Sequence, residues 1–190
     1  MLLTLAVTTQ SSAAFAHGDF KGFSDLQSGI VHPFLDYVAI MQLLLTSLLL
    51  SDQCPKAPGR AYLGFAAALF GASFAAHTVS VESSRISYVV LIALGALVVL
   101  RYVLPRLAII VVAALSGASA FLPFADDATS HSKLFVLGMM LVYFSGFSWV
   151  LLLCQKLDRF PVFIIGKRIA GSWVIAASIM LLALSLRRGT

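Results

Sequence analysis

Apolar residues fill the chain in six long runs, at positions 30–50, 61–80, 86–103, 107–124, 134–154 and 169–186, separated by short polar segments. A helix needs about 20 apolar residues to cross a hydrocarbon core about 30 Å thick. Each run is of that order. The pattern predicts an all-α, polytopic membrane protein: a six-transmembrane-helix bundle that occupies residues 17–190. Small residues recur at three- and four-residue steps within the runs, at Ala68 and Ala72, Gly71 and Ala75, and Ala113 and Gly117. Gly138 and Gly146 lie in the fifth run. Such positions are expected to be helix–helix contacts, because close packing in lipid needs small side chains. Met139 and Met140 read as packing residues. The tyrosines and tryptophans near span ends read as interfacial anchors.

Composition sharpens this picture. Hydrophobic residues make up 60% of the chain and charged residues 11%. Mean hydropathy is +0.97. A soluble domain carries about 25% charged residues. Little chain is left for one, so any chemistry sits inside the membrane or at its surface. The net charge of +5 does not point to nucleic acid, because the basic residues are scattered between the runs. Two cysteines, Cys54 and Cys154, are too few for a disulfide framework and have no zinc-type spacing.

The N-terminus reads as a signal peptide over residues 1–16. A short apolar run at 2–7 is followed by Ala14-Phe15-Ala16, which puts small residues at the −3 and −1 positions of a cleavage site. The alternative is an uncleaved leader, since no Lys or Arg precedes the run and polar residues 8–12 interrupt it. Cleavage makes His17 the first residue, whose amine and imidazole then chelate a metal together. Export of the leader places the mature N-terminus outside, and six spans return the C-terminus to the same side. Eight basic residues then lie inside (Lys56, Arg60, Arg101, Arg106, Lys156, Arg159, Lys167 and Arg168) and five outside. That bias agrees with the positive-inside rule.

Ionisable groups within spans are rare and are functional leads. All four histidines, His17, His32, His77 and His131, fall on the expected outer side. Asp36 follows His32 at i+4, which places both on one face of a continuous helix. Imidazole with carboxylate suits divalent transition metals. Two readings of this pair stay open: metal or substrate contact, or a structural pairing in which His32 caps the span beside Pro33 and Asp36 bonds to a neighbouring helix. His77 approaches the same level from the second run. His131, in a polar loop, reads as a surface residue. No GxSxG, HExxH or glycine-rich phosphate loop is present, so the chain is not read as an enzyme.

These features resemble the HupE/UreJ family of hydrogenase and urease accessory membrane proteins. The resemblance rests on the exported leader ending Ala16-His17-Gly18, on His32-Pro33 followed by Asp36 and an apolar stretch to Met41, and on Arg168-Ile169-Ala170-Gly171 opening the last run. It covers about residues 17–186. The chain departs from the family pattern: the glycine between Pro33 and the aspartate is missing, and Tyr37 stands where the family has a histidine. The resemblance implies a permease for nickel or cobalt in the bacterial inner (plasma) membrane, with His17, His32, Asp36 and His77 as an outer collection site. The lost histidines point instead to a non-transporting accessory subunit of a larger membrane complex. The polar residues open to a permeation path are few: Gln42, Thr46, Ser47, Ser145, Ser148 and Ser178.

Overall fold

The computed structural model describes residues 22–53, 59–75, 83–121 and 132–188. The leader, His17, His77, His131 and Cys54 lie outside them. Every element among the described residues is helical: α1 (Asp25–Val31), a 3-10 turn (His32–Leu35), α2 (Tyr37–Gln53), α3 (Gly59–Ala75), α4 (Ser83–Leu100), α5 (Arg106–Phe121), α6 (Lys133–Leu157) and α7 (Pro161–Arg188). The helices follow the six apolar runs. The element ends are set by local chemistry. Ser24 and Gln27 form a reciprocal capping box at the start of α1. Ser132 caps α6. Arg101, at φ 51°, enters the left-handed region and ends α4. Pro161 opens α7, where its missing N–H costs nothing.

Two helices, Lys133–Leu157 and Pro161–Arg187, are long and apolar enough to cross a membrane, and a third span results if α1, the 3-10 turn and α2 count as one bent segment. Arg85–Leu100 and Arg106–Phe121 are shorter apolar helices.

Helix α2 is the central strut. It packs against α4, α5 and α6, while α3 packs on α5 and α7 on α4. Its interior face is closed off by Leu45, Leu49 and Leu50, all at most 1% exposed. Close helix approach occurs where glycines permit it. Gly117 lies against the Phe65 carbonyl of α3, Gly138 against Leu26 and Ile30 of α1, and Gly95 against Gly171 and Ile175 of α7. Gly146 touches Leu43. Gly71 departs from expectation, since nothing comes within 4 Å of where its Cβ would stand. It faces outward because α3 packs through the Ala61, Phe65 and Leu69 stripe instead. Met139 and Met140 are core residues as expected. Tyr143 is also in the core, not at an interface.

The candidate functional site

The segment read as a single first span is broken. Pro33 enters the 3-10 turn, Asp36 is extended at φ −97° and ψ 100°, and the chain bends by 74° between 25–35 and 37–53. The break follows from two residues. Pro33 lacks an N–H and fits a first-turn position. Asp36 then starts a new helix as its N-cap, with its Oδ1 accepting hydrogen bonds from the backbone N–H of Val38 at 2.8 Å and of Ala39 at 3.4 Å. His32 and Asp36 therefore do not share a face of one continuous helix. The i, i+4 rule requires unbroken α geometry, which the 3-10 turn and the bend remove. Both residues remain at the same end of the bundle, separated by a single short turn.

His32 is half-buried beside α6, and its ring meets that of Phe135 edge-on at 5.2 Å. α6 is held there by the close approach of Gly138 to α1 and of Gly29 to the Phe135 backbone. Asp36 is half-buried as well. Both hydrogen bonds it accepts among the described residues end on Oδ1. A carboxylate at a helix start also meets the positive end of the helix dipole. Among the described residues no three His, Cys, Asp or Glu side chains gather to hold a metal ion. His17 and His77 lie outside those residues, so the four-residue collection set is represented here by His32 and Asp36.

Below the break, α2 carries polar groups into the core. Gln42 is 1% exposed and donates from Nε2 to the Ser116 carbonyl at 3.3 Å and to Ser119 Oγ. Its Oε1 and the Ser116 hydroxyl are buried with no hydrogen-bond partner among the described residues. Four of the other hydroxyls are spent on their own helices. Thr46 donates to the Gln42 carbonyl at 2.7 Å, Ser47 to Leu43 at 2.9 Å, Ser145 to Leu141 at 2.6 Å and Ser148 to Phe144 at 2.6 Å. Ser145 is exposed on the outer surface of α6. Of the expected path residues, Gln42 alone bridges two helices through its side chain.

At the opposite end lies a charged cluster that the sequence pattern did not single out. Lys167, 3% exposed, donates from Nζ to Ser51 Oγ at 3.0 Å and to Asp52 Oδ1 at 2.6 Å, and pairs with Asp158 Oδ1 at 2.5 Å. Arg101 stands 4.0 Å from the other oxygen of Asp52. The Phe163 ring lies under the ammonium at 5.4 Å. Gln53 completes the arrangement: its amide donates to the Tyr102 carbonyl at 2.8 Å and accepts from Leu104 N–H at 2.9 Å. The ends of α2, α4 and α6 thus meet at one end of the bundle. Lys167 was expected in an inner loop, but α7 begins at Pro161, so Lys167 sits two turns inside a helix. The available signal was the placement of Asp52, Asp158 and Lys167 at the rims of three apolar runs.

Searches against family models, curated proteins and solved structures return no match.

Proposed function

We propose that this chain is a six-span, HupE/UreJ-like permease of the bacterial inner membrane for a divalent transition metal, nickel or cobalt. Here α1–α2 act as one bent span, and α3, α4 and α5 as short spans beside α6 and α7. His17, His32, Asp36 and His77 form the collection site on the outer face. The observation that carries the reading is the break in the first span at Asp36. Secondary transporters commonly build their sites on discontinuous helices, and this break sets His32 and Asp36 one short turn apart. Imidazole with carboxylate is a donor set suited to nickel and cobalt.

Asp36 allows a sharp test, because capping and ligation ask different things of it. Asparagine caps a helix about as well as aspartate, but it removes the charge a dication needs. We expect Asp36→Asn to accumulate normally while metal uptake falls to background, and His32→Ala to do the same. The measurement is nickel and cobalt uptake, normalised to protein level, in cells lacking other importers. Normal uptake by both variants would make the pair structural.

The accessory-subunit reading is favoured by one observation: Thr46, Ser47, Ser145 and Ser148 donate to carbonyls of their own helices, which leaves a thin polar lining for an ion that is costly to desolvate. A parent protein that transports neither metal and copurifies with a membrane complex would establish it.

The proposed topology has its own test. Lys56→Cys and Arg159→Cys, each made after replacing Cys54 and Cys154, should react with a membrane-impermeant thiol reagent only in permeabilised cells. Labelling of either in intact cells would invert the orientation.

A further inference from the structure

Helix α7 is held unevenly. It packs along α4 and meets α2 at few points. Of its most apolar window, 11% is buried, against 33% for α6. At about 100° of rotation per residue, α7 carries two strips. Gly171 and Ile175 face Gly95 of α4. Gly166, Trp173 and Ala177 face a lateral groove of about 600 Å³ whose other wall includes Tyr37, Met41 and Leu44 of α2. Lys167 lies between these strips, and through Ser51, Asp52 and Asp158 it ties α7 to the end of α2 and to the turn after α6. Beyond this tie, from Ile169 to Leu181, the groove runs between α7 and α2.

We propose that the Lys167 cluster is a releasable latch that sets the position of α7 against α2. Three observations support it. First, the tie is polar and local and the neighbouring wall of α7 is open, so breaking it lets α7 shift against α2 while it stays packed on α4 through Gly171 and Ile175. Second, the anchor is asymmetric in its access to water. The Lys167 side chain is 2% exposed, but those of Asp52 and Asp158 are 16% and 22% exposed and that of Arg101 is 50% exposed. Water and cations therefore reach the carboxylates from outside the cluster and compete with the ammonium for them. Third, Lys167 has two carboxylate partners, so the pair with Asp158 can be exchanged while Asp52 still holds the ammonium and no charge is left buried alone. Exchange of interfacial ion pairs is a recurrent way for packed helices to switch between two arrangements.

Spin labels on Met41→Cys and Ala177→Cys, on opposite walls of the groove, test the latch in the full chain in lipid bilayers, after replacement of Cys54 and Cys154. Pulsed electron-resonance distances are compared between the parent, Lys167→Met and Asp158→Asn. A second label pair at Leu63 and Val111, exposed positions on α3 and α5, reports whether the rest of the bundle is intact. The parent should give one narrow distance. Lys167→Met should broaden it or add a second population several ångströms away, and Asp158→Asn should do so to a smaller extent, with the control pair unchanged. If Lys167→Met does not fold, Asp158→Asn decides, because it leaves Lys167 paired with Asp52. An unchanged Met41–Ala177 distance in the folded variants would overturn the latch.

Discussion

Lys167→Met is expected to be the most destabilising single change at the end of the bundle where α2, α4 and α6 meet. It removes the cation and leaves Asp52 and Asp158, both of which had reached the same ammonium, facing each other across the space it filled. Breaking a buried ion pair from one side costs about 3–5 kcal/mol, because the abandoned charge stays desolvated. Water contact at the two carboxylates, and Arg101 near Asp52, place the loss at the lower end of that range. The triple variant Lys167→Met, Asp52→Asn, Asp158→Asn should recover most of it, since neutral groups of similar shape carry no unpaired charge. The measurement is the temperature at which half the protein remains monodisperse in a fixed detergent. A single variant as stable as the parent would show that the cluster is already solvated. A triple variant no better than the single would show that packing, not charge, is what Lys167 supplies.

Helix content was legible from the apolar runs because each run is long and the breaks between them are polar. What escaped was the chemistry at the run ends. The last apolar run begins at Ile169, and Lys167 and Arg168 before it resemble loop residues by polarity. Yet Pro161 is a good first helical residue and the helix extends back to it, which carries Lys167 into the protein. No pattern of period reveals that Asp52, more than a hundred residues away, is waiting for it. The first run failed for the opposite reason. His32 and Asp36 at i, i+4 imply a shared face only while the helix continues, and an aspartate after Pro33 is also what an N-cap looks like. Capping and ligation draw on the same carboxylate, so spacing alone did not separate them. Gly117 and Gly138 were read correctly as contacts, whereas Gly71 was not, because small residues are necessary for close approach but do not say which side of a helix receives it. Gln42 was recognised as polar. Its bridge to Ser116 and Ser119 on α5 depended on which helices became neighbours.

Gly138→Val is expected to disturb both the fold and the candidate site. A Cβ at this position would stand 2.5 Å from the Leu26 carbonyl oxygen and 3.0 Å from the Ile30 nitrogen. Both are backbone atoms, so no side-chain rotation relieves the clash and α1 must move away from α6. Overpacking of this kind typically costs about 1–3 kcal/mol, and contact with backbone puts the expected loss at the upper end. The consequence for the site follows from geometry. His32 directly follows α1, and its ring rests on Phe135, three residues before Gly138 on α6. Displacing α1 carries His32 off that ring and away from its present relation to Asp36, whose cap belongs to α2 and stays in place. Gly138→Val should therefore lower thermal stability and, under the proposed permease function, reduce metal uptake per folded molecule. Gly71→Val, with open space at the same test position, should leave both near the parent. Uptake and melting temperature measured on the same preparations separate the two effects. If Gly138→Val loses stability but transports at the parent rate, the placement of His32 by α1 is not what the proposed metal site requires. If it loses neither, α1 does not rest on α6 in the membrane as it does here.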